Sequence, residues 1–199
     1  MYIIIDLGAN DGCSIKKFKT ILKNQNISDY KIYSFEPHPY FYNHLKQYES
    51  DDRISIIPKI AYTKNCKQNL YISTVGNDGS SIYSDKTTNG VSEKNYVECE
   101  AIDIVKFIDS LPTYKKLWVK MDVEGAEYDL IPYLHQKMVL PKIDTLFIEW
   151  HYEKIRSISK EKHTETVEMV KNMKIYLWDA LEYRELTDEN YRRTYLGIP

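Results

Sequence analysis

The segment Tyr2-Ile3-Ile4-Ile5-Asp6-Leu7-Gly8-Ala9-Asn10-Asp11-Gly12 decides the fold. Tyr2–Asp6 is a short β-branched run that ends in an acid, and a glycine turn follows it at once. Ser14–Lys23 comes next, with Ile15, Phe18 and Leu22 recurring on one helical face. A strand, a glycine turn and a helix in that order open a βαβ unit, and βαβ units build a largely parallel sheet.

The same alternation continues outward. Lys31–Glu36 reads as a second strand, Pro39 suits a first helical position, and Phe41, Leu45 and Tyr48 share a face behind it. Arg53–Ala61 reads as a third strand. Thr63–Glu100 is rich in Asn, Gly, Ser and Asp and too polar for its own core, so it is expected to be a hairpin or lid-like excursion on the sheet. Regular alternation then resumes: a helix over Asp103–Ser110, a strand over Lys116–Asp122, and a helix over Ala126–Gln136 interrupted by Pro132. A strand over Ile143–Trp150, a helix over Lys160–Asn172 and closing strands from Lys174 complete it. The expected architecture is one α/β domain, a mostly parallel sheet with helices on both faces.

Composition narrows the function. The net charge of −2 comes with interspersed Lys and Glu, so no basic face for a nucleic acid is advertised. No apolar run approaches the ~18 residues of a membrane span. The N-terminus has no basic segment, and Asp6 breaks its apolar run, so it does not read as a signal peptide. The three cysteines, Cys13, Cys66 and Cys99, are widely spaced and form no zinc pattern; they suit a reducing, cytoplasmic setting. Because the chain opens directly on a strand, it reads as a segment of a longer polypeptide or one lacking an N-terminal helix.

Three strand ends carry the chemistry. At the first, Gly8 and Gly12 let the backbone turn tightly and approach a ligand. Asp6 would repel the phosphate of a dinucleotide and attract an ammonium group, such as that of S-adenosylmethionine, whose carboxylate suits N–H groups near a helix start. At the second, Glu36 in Ser34-Phe35-Glu36-Pro37 follows the turn at the spacing of an acid that accepts from ribose hydroxyls. At the third, Lys120, Asp122, Glu124 and Glu127 gather in Lys120-Met121-Asp122-Val123-Glu124-Gly125-Ala126-Glu127. Glu127 in a first helical turn is accounted for equally well by the helix dipole. Asp122 and Glu124 need something cationic between them: a sulfonium, a lysine or a metal ion.

Together the segments DLGANDG, FEP, KMDVEGAEYDLI and IEWH, with Asp103 before its helix, resemble the FkbM-type methyltransferases from Tyr2 to about Trp150. The resemblance implies a Rossmann-like seven-strand sheet, S-adenosylmethionine as methyl donor, and an oxygen acceptor, often a sugar or polyketide hydroxyl. By position it implies that Asp6, Gly8, Asn10 and Gly12 hold the methionine end, that Glu36 holds the ribose, and that Asp122, Glu124 and His151 face the reacting centre. The cofactor-binding set assigned on these grounds is Asp6, Gly8, Ala9, Asn10, Gly12, Glu36, Pro37, Ala61 and Asp122. The catalytic set is His151, Glu124 and Asp122, and no residue is assigned to a metal. A glycan acceptor, and a glycosyltransferase domain fused to the chain or working beside it, would fit the resemblance and the abrupt start.

Methyl transfer to a hydroxyl needs alignment and a base. His151, after the fifth strand, has the ordinary pKa best suited to that task and ranks level with Glu124, with Asp122 orienting them. Asp122, Glu124 and Glu149 could instead hold a hard divalent cation, though the spacing does not require one. The rivals are a ribose 2′-O RNA methyltransferase using Asp122 and Glu149 in a Lys-Asp-Lys-Glu tetrad, which the acidic balance weakens, and an inactive module that keeps the cofactor fold as a scaffold. An NAD oxidoreductase would want GxGxxG, which Asp6 and Asn10 oppose.

Overall fold

In the computed structural model, residues 1–74 and 79–178 are described, together with a strand at 183–185. The main sheet takes β1 (Tyr2–Leu7), β2 (Tyr30–Phe35) and β3 (Ile54–Ile57) from the first half. From the second it takes β7 (Lys116–Met121), β8 (Thr145–Ile148), β9 (Ile175–Trp178) and β10 (Tyr183–Glu185). In space the order is β10-β9-β8-β7-β1-β2-β3. Every neighbouring pair is parallel except β9–β10. The chain thus winds outward from β1 in one direction and, after β7, in the other. The switch point lies between β1 and β7, where an open α/β sheet leaves a crevice at its carboxyl ends.

Alternation along β1 shows why both faces are covered. Ile3, Ile5 and Leu7 pack with Leu117, Val119, Met121, Leu130 and Ile131 on one side. Ile4 packs with Phe18, Leu22, Trp118, Phe147 and Trp178 on the other. Helices α1 (Cys13–Asn24), α2 (Pro39–Leu45), α3 (Ile104–Asp109), α4 (Glu127–Gln136) and α5 (Lys160–Val170) supply the covering faces. A strand buried on both faces reads as a continuous apolar run, as Tyr2–Ile5 does before Asp6.

Three expectations are corrected. Arg53–Ala61 is not one strand: β3 stops at Ile57, and β4 (Ile60–Tyr62) starts a second sheet with β6 (Tyr96–Asp103) and β5 (Cys66–Tyr71), ordered β4-β6-β5. Pro58 lies at the break, where it offers no N–H to a ladder. The polar excursion is therefore more than a hairpin; its antiparallel β5–β6 pair binds in parallel to β4 through β6. Helix α4 also continues through Pro132, with Leu130, Ile131 and Leu134 buried in the core around it. The part of the expected closing strands beyond 185, and residues 75–78 of the excursion, lie outside the described residues.

Candidate active site

The carboxyl ends of β1, β2 and β7 open on a cavity of about 340 Å³, within the range of small-ligand sites. Gly8, Ala9 and Asn10 form one wall; Glu36, Pro37 and His38 form the next. Ile60 and Ala61 from β4 and Gly79 and Ser80 from the excursion close one side. Asp122, Glu124 and Glu149 complete the lining.

The glycine turn is held close to β7. Gly8 has φ +81°, and a Cβ there would sit 2.0 Å from the carbonyl oxygen of Asp122, so only glycine lets the two strand ends approach. Asn10 also lies in the left-handed region, at φ +48°. Its N–H donates to Glu36 Oε2 at 2.8 Å, and the N–H of His38 donates to Glu36 Oε1 at 2.8 Å. These bonds aim the Glu36 carboxylate from the end of β2. Burial nevertheless pushes its pKa up to about 7, against the pull of those two N–H groups and Lys120. His38 Nε2 is buried at the same wall without a hydrogen-bond partner. A polar atom in that position calls for a ligand group or a water.

Asp6 and Gly12 do not line the cavity. The Asp6 side chain is fully buried beneath the turn. Its Oδ2 accepts from Ser14 Oγ at 2.6 Å and from Ser34 Oγ at 3.2 Å. Oδ1 faces Lys120 Nζ at 3.3 Å. A carboxylate so placed meets no ligand ammonium directly; it sets the turn's shape and the charge below it. Gly12 lies at the N-terminus of α1 with φ +86°, packed against Tyr48.

Lys120 is the cation that the clustered acids require from within the chain. Its buried ammonium lies between Asp6 at 3.3 Å and Asp122 at 3.4 Å and donates to the Gly8 carbonyl at 2.6 Å. Burial opposes its charge, but the two carboxylates outweigh that and raise its pKa. Asp122 shifts upward too, driven by burial and opposed by Lys120.

The acidic turn is strained and clamped. Glu124 adopts φ +52°, unusual for a residue with a Cβ, at a cost of about 1–3 kcal/mol. Two residues of the excursion hold it there. Ser81 Oγ donates to its carbonyl at 2.5 Å, and the buried Lys86 ammonium pairs with its Oε2 at 2.6 Å. Lys86 also donates to the Gly79 carbonyl. From the sequence, the Gly79-Ser80-Ser81 segment reads as a substrate contact or simply a turn, and Lys86 has no reading, because a polar loop has no periodicity to place its residues.

His151 is brought to this cluster but stands behind it. It is buried and does not line the cavity. Its Nδ1 lies 3.0 Å from Glu127 Oε1, and its Nε2 faces Glu149 at 3.3 Å, Glu124 at 3.4 Å and Asp122 at 3.7 Å. Burial alone would lower its pKa, but Glu127, Glu149 and Glu124 outweigh that and hold its imidazolium up to about 10. The surrounding carboxylates therefore favour its imidazolium, an influence that the ordinary histidine pKa does not include. Glu149 is pulled down to about 2 by His151 and Lys154 against its own burial.

A crevice at the switch point, an acid closing β2 and a clamped acidic turn after β7 mark a Rossmann-like domain with a cavity at its strand ends. A family model described as methyltransferase FkbM domain matches residues 6–186. The chain belongs to that methyltransferase family. Among solved structures it is similar to the crystal structure of methyltransferase FkbM from Methylobacillus flagellatus KT, at 16% identity and a TM-score of 0.42. That match covers 69% of this chain and 31% of the other. No curated protein matches the chain.

Proposed function

We propose that the chain is an S-adenosylmethionine-dependent O-methyltransferase acting on a hydroxyl of a sugar or glycan, with Glu124 as general base. The observation that carries this reading is that buried Glu36, closing β2, and Glu124, in the left-handed turn after β7, line one cavity.

The residues present fit the cofactor. Gly8, Ala9 and Asn10 would hold the methionine end in the glycine turn, and Asp6 would act from beneath it through Ser14 and Lys120. Glu36 would accept from the ribose hydroxyls. Pro37, His38, Ile60 and Ala61 would enclose the base, where the unpartnered His38 Nε2 offers a polar contact. When bound, S-adenosylmethionine supplies a methyl group already activated as a sulfonium.

The chain's own task is then to align the acceptor and remove its proton. Lys86 and His151 both approach Oε2 of Glu124, which leaves Oε1 to receive the hydroxyl proton. Asp122 and Glu149 stand beside it on the same wall, where they can accept hydrogen bonds from neighbouring hydroxyls of a polyol. The carbohydrate acceptor rests on family likeness and on this concentration of acceptors. The test is methyl transfer from labelled S-adenosylmethionine to a panel of glycans. Glu124→Gln is expected to lose about 10²–10⁴ in rate while keeping cofactor affinity. Equal turnover by that variant would remove Glu124 from the role.

A further inference from the structure

We infer that Asp122, Glu149 and His151 form a binding site for a divalent transition-metal cation on the cavity wall, with Glu127 orienting the histidine from behind. One imidazole nitrogen and one oxygen from each of two carboxylates converge so that the three atoms lie within 4.8 Å of one another. Acidic clusters without ions are common. The position of the histidine separates this one from them.

The histidine's Nε2 is wholly buried, aimed into the cluster, and makes no aligned hydrogen bond. Its distances to the facing oxygens are informative. A charge-assisted bond from nitrogen to carboxylate is about 2.7–2.9 Å long, whereas here the gaps are 3.3 Å to Glu149 and 3.7 Å to Asp122. A divalent ion roughly 2.0–2.2 Å from each donor spaces adjacent donor atoms about 2.8–3.6 Å apart. The observed gaps lie near the edge length of a coordination polyhedron and are longer than a charge-assisted hydrogen bond.

The other ring nitrogen is arranged as metal-bound histidines require. Glu127 Oε1 receives the His151 Nδ1–H at 3.0 Å and the His151 backbone N–H at 2.9 Å. Glu127 Oε2 is anchored by the Gly125 N–H at 2.9 Å. A buried carboxylate on Nδ1 holds that nitrogen protonated and leaves Nε2 as the metal-facing atom, where an incoming ion takes the place of the Nε2 proton, the carboxylate–histidine–metal arrangement. Lys120 engages Asp122 through Oδ2, which leaves Oδ1 toward the histidine. Lys154 shares Glu149 Oε1 at 3.3 Å and is the group the ion must compete with.

The ligand set also says which ion and where it is open. An imidazole beside carboxylates favours manganese, iron or zinc over calcium. Asp122 and Glu149 line the cavity and His151 does not, so the open coordination positions face the cavity. An acceptor hydroxyl bound there would lose its proton more readily. That use rests on the methyl-transfer reading; the binding of the ion does not.

The test uses the chelator-treated chain and Mn²⁺ alone, without cofactor or acceptor. Free Mn²⁺ is followed by electron paramagnetic resonance, and the histidine ring signals by NMR. One ion per chain is expected, with the His151 ring broadened and that of exposed His135 unaffected. Glu127→Gln is expected to weaken binding about 10–100-fold, while Asp109→Asn, at a surface pair with Lys142, leaves it unchanged. Saturable binding that spares the His151 signal, or no saturable binding to the folded wild-type chain, overturns the site. Because S-adenosylmethionine is absent throughout, failure of the cofactor reading cannot produce either result.

Discussion

Glu127 Oε1 accepts both the backbone N–H and the ring Nδ1–H of His151, at 2.9 Å and 3.0 Å. The start of α4 is thereby tied to the end of β8, and the histidine ring is fixed among three further carboxylates. Glu127→Ala would strand three buried donors and remove the carboxylate nearest the His151 ring. It is expected to cost about 3–5 kcal/mol in metal-free protein, measured by urea denaturation at neutral pH. A loss below about 1 kcal/mol would show that the pair does not order the site.

Gly8 tests how tightly β1 and β7 must meet. In Gly8→Ala the new methyl meets the Asp122 carbonyl at 2.0 Å in a left-handed backbone. Both effects destabilise, and a loss above about 2 kcal/mol is expected. Denaturant midpoints of the two chains measure it; equal midpoints would mean that the turn can move away from β7.

Glu36 makes a prediction about pH. Its pKa is raised by burial from 4.5 to about 7 in the folded chain. Between those values the native state keeps a proton that the unfolded chain has lost. The group's contribution to stability therefore falls as pH rises through this window, by up to about 3 kcal/mol, and Glu36→Gln should flatten that slope. A ribose diol donating to the carboxylate favours the ionised form. Cofactor binding should accordingly release a proton near pH 6.5 in wild-type protein and not in the variant, seen as a buffer-dependent heat in calorimetry.

Lys86 and Ser81 predict that the excursion acts on the chemistry. Lys86→Met removes the partner of Glu124 Oε2 and leaves a buried Gly79 carbonyl unpaired. The expected result is a loss of about 1–3 kcal/mol in stability and slower methyl transfer at unchanged cofactor affinity. Ser81→Ala should cost about 1 kcal/mol through the freed Glu124 carbonyl.

What could be read beforehand follows from how local each signal is. The run from Ile3 to Leu7 and the glycines after it are consecutive in the chain, so strand, turn and crevice were legible. Glu36 and Asp122 were legible because strand ends carry the site in any such sheet. Pro58 was in plain view, yet Ile54, Ile56 and Ile60 suggested one strand across it; only the second sheet explains the break. Asp6 looked like a ligand group because the sequence cannot show that Ser14, Ser34 and Lys120 enclose it. Lys86 and Glu127 act through partners 38 and 24 residues away, and such pairs leave no trace in spacing.

The most direct test of the central claim is calorimetric titration of the purified chain with S-adenosylmethionine, alongside Glu36→Ala. One saturable site, weakened at least tenfold by the substitution while the fold is retained, is the predicted result. A folded wild-type chain that binds neither S-adenosylmethionine nor S-adenosylhomocysteine would contradict it.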